Sequence, residues 1–162
     1  MRKMRITSEQ EFNRYTISLA DLEKASECVA EARKYLPNGL VFEALLFMAI
    51  IAYYRPFSPN EKSKQNLKAT SRLKLEDLIL PSAHEKEIHI ECEDLRNKAL
   101  AHSEIAYNPT SLNTNTGVIS SKRFSLLTQQ FDLDGLAKLL KKLEESCHSK
   151  RATYVQQMRQ MR

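Results

Sequence analysis

The side chains able to move a proton or ligate a metal are few in this chain: four histidines (His84, His89, His102, His148) and three cysteines (Cys28, Cys92, Cys147). The cysteines are odd in number, far apart and without a C-x-x-C pair, so neither a disulfide framework nor a zinc ribbon is indicated, and a reducing cytoplasm is the expected location. There is no Gly-rich phosphate loop, no H-E-x-x-H, no G-x-S-x-G and no carboxylate and histidine set spaced for two metals. His89, Cys92 and Glu93 crowd one turn, but a mixed set on one exposed turn is a poor metal site, and no metal or other cofactor is expected. His84 and His89 are five residues apart on one helical pattern and face different directions, and His148 has no partner at ligand spacing. What remains is Leu95-Arg96-Asn97-Lys98-Ala99-Leu100-Ala101-His102-Ser103-Glu104. It joins a permanent cation that can grip an anion to a group that titrates near neutrality.

The elements that must hold this stretch read as four long helical patterns. The first runs from about Ser18 to Leu36, with Leu22, Ala25, Val29, Ala32 and Leu36 at three- and four-residue spacings, and Pro37-Asn38-Gly39 ends it. The second, about Gly39 to Arg55, is apolar almost all round, as a central buried helix is, and Pro56 stops it. A short apolar piece, Leu75 to Leu80, precedes Ser82-Ala83-His84-Glu85, whose S-x-x-E form starts the third helix by reciprocal capping. Its stripe of Ile88, Cys92, Leu95, Ala99 and His102 predicts a helix to near Ala101, with His102 on the buried or partner-facing side. Between Glu104 and Leu127 the composition turns to Ser, Thr, Asn and β-branched residues. Asn113-Thr114-Asn115-Thr116-Gly117 is a turn signal there, between Ile105-Ala106-Tyr107 and Val118-Ile119. Asp132 then caps a last helix whose stripe of Leu133, Leu136, Leu139, Leu140, Leu143 and Cys147 continues through Tyr154, Val155 and Met158. The expected class is all-α: a four-helix up-and-down bundle with a β-hairpin or long loop inserted between the third and fourth long helices. The 162 residues make one domain, with an N-terminal arm over 1–16, a basic connection over 56–74 and the hairpin or loop over 104–127.

Charge is unevenly spread. The net charge is +5, and Arg55 to Lys74 alone holds six cations (Arg55, Lys62, Lys64, Lys68, Arg72, Lys74) against Glu61. From Ser146 onward Lys150, Arg151, Arg159 and Arg162 meet no acid, whereas Ser82 to Leu95 holds five acids against Lys86. Such stretches are a solvated surface or a path for phosphates, and the second reading needs a chemical centre beside it. The N-terminus has Arg2, Lys3 and Arg5 but no apolar stretch after them, so no secretory signal is expected. The longest uninterrupted apolar run, Ala44 to Tyr54, is eleven residues, short of the roughly 20 that cross a bilayer, so no membrane partner is expected.

Arg96, Asn97 and His102 form an Arg, a polar residue and then a His after five intervening residues. This resembles the signature of the HEPN domains (named for higher eukaryotes and prokaryotes nucleotide-binding), and the preceding Tyr53-Tyr54-Arg55-Pro56-Phe57 is similar to segments of such proteins. The resemblance covers the helices from about Ser18 to the end. It implies a metal-independent endoribonuclease acting as a homodimer, in a toxin or antiviral defence setting, with RNA as substrate and an antitoxin protein as a second class of partner. The chemistry is coherent, because RNA carries its own nucleophile, the 2′-OH, and cleavage then needs only proton transfer and charge stabilisation. In this reading His102 is general base or acid, Arg96 stabilises the pentacoordinate transition state, and Asn97 holds the histidine tautomer or the phosphate. Arg55, Lys62, Lys64, Lys68 and Lys98 are the expected RNA contacts. Six residues of α-helix give about 9 Å of rise and about 240° of rotation, so Arg96 and His102 of one chain do not meet if the helix continues. A two-fold partner presenting the same face would bring a second pair across the gap.

Structural roles compete with each of these. A histidine ending an apolar stripe is often packed, or binds the last helix carbonyls. Arg96 has Glu93 three residues before it as an ion-pair partner. Arg55 complements the dipole of its helix, Lys98 faces solvent, and Tyr53 and Tyr54 belong to the core or its rim. Tyr154 beside Arg151 is a sparse nucleic-acid candidate. A catalytically inert HEPN-like module that binds RNA, a nucleotide or a protein, and a plain helical dimerisation protein, stand as the alternatives to the nuclease.

Overall fold

The computed structural model of the chain describes residues 8–37, 39–58, 72–100, 110–121, 125–126 and 130–160. Helix makes up 76% of them, in five α-helices, with one small two-stranded antiparallel sheet. The helices are α1 (Ser8–Ala32), α2 (Leu40–Tyr54), the single turn α3 (Leu75–Leu78), α4 (Ala83–Asp94) and α5 (Leu133–Gln160). A 3₁₀ turn, Arg55–Phe57, follows α2, and a π turn, Leu95–Leu100, follows α4.

Helix α1 starts at Ser8, not near Ser18, so half of the expected N-terminal arm is helical. Phe12 and Tyr15 extend the stripe of Leu19, Leu22 and Val29 one register further toward the N-terminus, and Tyr15 and Leu19 are buried with it. The same helix ends at Ala32 rather than Leu36, which is 76% exposed. Helices α2 and α5 pack along α1, and α4 rests on both α2 and α5. The core between them is continuous, from Leu22, Val29, Ile50 and Tyr53 to Cys92, Leu139, Leu140 and Leu143. All three cysteines are free and lie within it. The stretch Leu40–Phe57 is long and apolar enough, by length and composition, to cross a membrane, more so than the eleven-residue run suggested. Its buried face, with Leu46, Ala49, Ile50 and Tyr53, packs into the core.

Both expected caps form. Glu85 N–H donates to Ser82 Oγ at 3.2 Å while Ser82 N–H donates to Glu85 Oε2 at 2.8 Å. Gly135 N–H donates to Asp132 Oδ1 at 2.8 Å, starting α5. A Cβ at Gly135 would meet the far ends of the Ile88 and Asp132 side chains, which would have to move aside to admit it. The hairpin also forms, as β1 (Thr110–Asn113) and β2 (Val118–Ser121), with Asn113 opposite Val118 and Thr110 opposite Ser121. Gly117 takes φ 68° in its turn, a left-handed conformation that favours glycine. The strand opposite Val118–Ser121 is Thr110–Asn113, and the expected Ile105-Ala106-Tyr107 segment falls outside the described residues.

Candidate functional site

The site is built where the end of α4 meets the end of α2. His89, Glu93 and Arg96 recur at four and three residues, which sets them on one face, and α2 delivers Tyr53 and Tyr54 opposite them, with Phe57 from the 3₁₀ turn. The His89 ring is boxed by aromatics: centroids lie 4.8 Å from Phe57 at 87°, 5.9 Å from Tyr53 and 5.6 Å from Tyr54. The Tyr53 hydroxyl is 2.9 Å from His89 Nδ1. Tyr53 is fully buried with no other acceptor among the described residues, so its O–H is assigned as donor and the imidazole proton sits on Nε2. Burial lowers the His89 pKa against the opposing pull of Glu93 and Glu76, which favours the neutral ring. Tyr54, whose hydroxyl is raised well above the ordinary phenol range by burial and then by a hydrogen bond to Glu93, feels Arg72 and Arg96 as opposing positive charges.

Arg96 does not pair with Glu93. Its Nη1 donates to Asn97 Oδ1 at 2.7 Å, and among the described residues it forms no ion pair with any acid. Among the described residues the half-buried guanidinium is held by a neutral amide and by no carboxylate. It stands on the π turn Leu95–Leu100, where α-helix as far as Ala101 was expected. π turns are rare and recur at functional sites. The wider turn lowers the rotation per residue, so the 240° α-helical separation no longer holds between Arg96 and the residues that follow. Lys98 is on the same turn, its side chain outside the described set, and His102 lies beyond the described residues.

The described ends of the basic connection meet at this corner. Its two ends are tied by Leu73 N–H donating to the Pro56 carbonyl at 3.0 Å, beside the aromatic box. Arg55, at its start, turns to Asp21 of α1 at 3.4 Å, and so has a structural partner in addition to its place at the helix end. Lys62, Lys64 and Lys68 lie outside the described residues. Tyr53 and Tyr54 are core residues and offer no free face for a base.

Comparison of the chain with protein-family models, with curated proteins and with solved structures finds no match. The site stands on its own geometry. His89, Tyr54 and Arg72 are the members that sequence reasoning passed over. The spacing of His89, Glu93 and Arg96 was the available signal, but the aromatic box comes from a different helix. The other two described histidines serve elsewhere: His84 Nε2 meets Asp132 Oδ2 at 2.8 Å, and His148 lies 3.8 Å from Glu23. Cys92 faces the core while His89 and Glu93 engage Tyr53 and Tyr54, and among the described residues no three metal-ligating side chains converge.

Proposed function

We propose that the chain is a HEPN-like four-helix domain that cleaves RNA as a homodimer, without a metal, in a toxin or antiviral defence setting. The observation that carries this reading is Arg96: a half-buried guanidinium with no acidic partner among the described residues, fixed by Asn97. A structural arginine in that position would have taken Glu93. One with no acid bonded to it among the described residues is suited to receive a phosphate.

In the proposed reaction His102 takes the proton of the 2′-OH, the 2′-oxygen attacks the adjacent phosphorus, and the bond from phosphorus to the 5′-oxygen breaks. The products are a 2′,3′-cyclic phosphate and a 5′-hydroxyl, with the leaving oxygen protonated by the second histidine of the dimer. Arg96 neutralises the charge that builds on the equatorial oxygens, and Asn97 keeps the guanidinium in line.

The test is incubation of single-stranded RNA and the corresponding DNA with the protein in EDTA, beside Arg96→Ala and His102→Ala. Cleavage of RNA alone by the wild type, lost in both variants, is the expected outcome, since only RNA has the 2′-OH. RNA binding without cleavage by the wild type would favour the inert module, and neither binding nor cleavage would favour the dimerisation protein.

A further inference from the structure

Helix α2 is apolar almost all round, yet only one side of it is covered. Of the apolar stretch Leu40–Phe57, 39% is buried, and the buried face carries Leu46, Ala49, Ile50 and Tyr53. On the opposite face stand Leu40, Val41, Ala44, Met48 and Ile51, the last four at the three- and four-residue spacings of a helix-pairing seam. Leu40 is 79% exposed, Val41 49% and Met48 43%. Leu36, in the turn that leads into α2, is exposed as well. A helix that is apolar all round is ordinarily enclosed, and an exposed apolar patch of this extent marks a contact surface. The one acid of α2 is not on this face: Ser125 Oγ and the Leu126 N–H donate to Glu43 at 2.6 and 2.8 Å.

We propose that this outward face of α2 is a self-association surface, on which a second copy of the chain lays the same face about a two-fold axis. The exposed side chains offer roughly 500 Å² per copy, so a pair would bury about 1,000 Å², the size at which a specific interface begins. A two-fold contact sets the patch against itself, and Ala44 between the larger Val41 and Met48 lets two helices approach closely. The charges beside the face fit a second copy better than a lipid surface. A helix lying on a membrane carries unpaired Lys and Arg next to its apolar side. Here Lys24, Glu27 and Glu31 of α1 line a groove with Leu45 of α2, and Lys24 pairs with Glu27 at 3.1 Å while Lys34 pairs with Glu31 at 2.5 Å. Arg55, at the end of the helix, pairs with Asp21 at 3.4 Å. The rim is thus neutralised within the chain, which gives an anionic membrane nothing to draw and two copies nothing to repel. The nuclease reading calls for two copies but not for this face, and the two stand or fall separately.

The test is sedimentation equilibrium of the full chain over a range of concentrations, beside Met48→Glu and, as a control, Ile90→Glu, which puts the same charge at an exposed apolar position of α4. The wild type should form a dimer that persists in high salt, because the contact is apolar. Met48→Glu should weaken the dimer about tenfold or more, since the two-fold places two carboxylates in one seam, while Ile90→Glu should leave it unchanged. A thermal melt checks that each variant is folded, and if Met48→Glu is not, Val41→Gln should weaken the dimer in its place. A wild type that stays monomeric, a dimer that salt dissociates, or an equal loss in Ile90→Glu overturns the proposal. So does a wild type that co-sediments as a monomer with vesicles of anionic phospholipid. RNA cleavage by a protein whose Met48→Glu variant dimerises as tightly as wild type keeps the nuclease and removes this face. Dimerisation that Met48→Glu weakens, in a protein that cleaves no RNA, keeps the face and removes the nuclease.

Discussion

At the N-terminal end of α4 the charged groups are partnered: Glu85 bonds both the Ser82 backbone and Lys142, and His84 bridges to the Asp132 carboxylate that caps α5. About three turns along, the same helix ends in a π turn on which Arg96 bonds an amide and, among the described residues, no acid. One end spends its polar groups on holding α4 to α5. The other sets a cation on the same face as a half-buried histidine. Side chains of similar kind therefore serve stability at one end and, under the proposed function, receive a ligand at the other, and the difference lies in whether a complementary charge is bonded among the described residues.

The largest expected effect at the stabilising end is that of Gly135→Ala. The new Cβ would collide with Ile88 and with the capping carboxylate of Asp132, costing about 2 kcal/mol by overpacking. A thermal melt equal to wild type would show that close contact between α4 and the start of α5 does not hold this end together. Glu85→Ala comes next, at about 1.5 kcal/mol for the lost cap and the Lys142 contact. Lys142, and then the Ser82 backbone, hold the Glu85 carboxyl below its ordinary value. Its contribution is therefore present above the unfolded value of about 4.3 and lost as pH falls through the folded one. Denaturant melts at pH 7 and pH 3 should show a gap between wild type and variant at the first and a smaller gap at the second.

Tyr53→Phe probes the junction between the two ends and should cost about 1 kcal/mol at pH 8 by leaving His89 Nδ1 without its donor. Because burial lowers the His89 pKa, the neutral ring's contribution is full above about 6.5 and fades in acid, so melts at pH 8 and pH 5 should bracket it. The smallest effect belongs to His84→Ala. The bond to Asp132 raises the His84 pKa, so its contribution is present below the ordinary histidine value and is lost as pH rises through the folded one. A small difference in melting temperature at pH 5, gone by pH 9, is expected; a difference that persists at pH 9 would remove the charge from the account.

The stabilising end was legible because its signals are local. Ser82 and Glu85, and Asp132 before Leu133, bond over three residues, and that spacing is visible in the sequence. The early start of α1 was hidden by the polar residues around Phe12, whose burial partners on α5 lie more than 130 positions away. At the other end Arg96 and Asn97 were singled out, but the π turn was not, because Leu-Arg-Asn-Lys-Ala-Leu contains nothing that breaks an α-helix. Nor does the His89 box follow from sequence: a histidine among charged residues reads as exposed until Tyr53, Tyr54 and Phe57 arrive from α2. The ion pair between Arg96 and Glu93 was the most natural local expectation, but Arg96 bonds the neighbouring Asn97 amide instead.

The contrast between the ends is tested most directly by measuring two quantities, melting temperature and RNA cleavage in EDTA, on two variants, Glu85→Ala and Arg96→Ala. The account predicts that Arg96→Ala melts as wild type does but loses cleavage by about 100-fold or more. Glu85→Ala should melt lower yet cleave at the wild-type rate below its transition. A lowered melting temperature with cleavage retained in Arg96→Ala would contradict it, by making Arg96 one more structural charge.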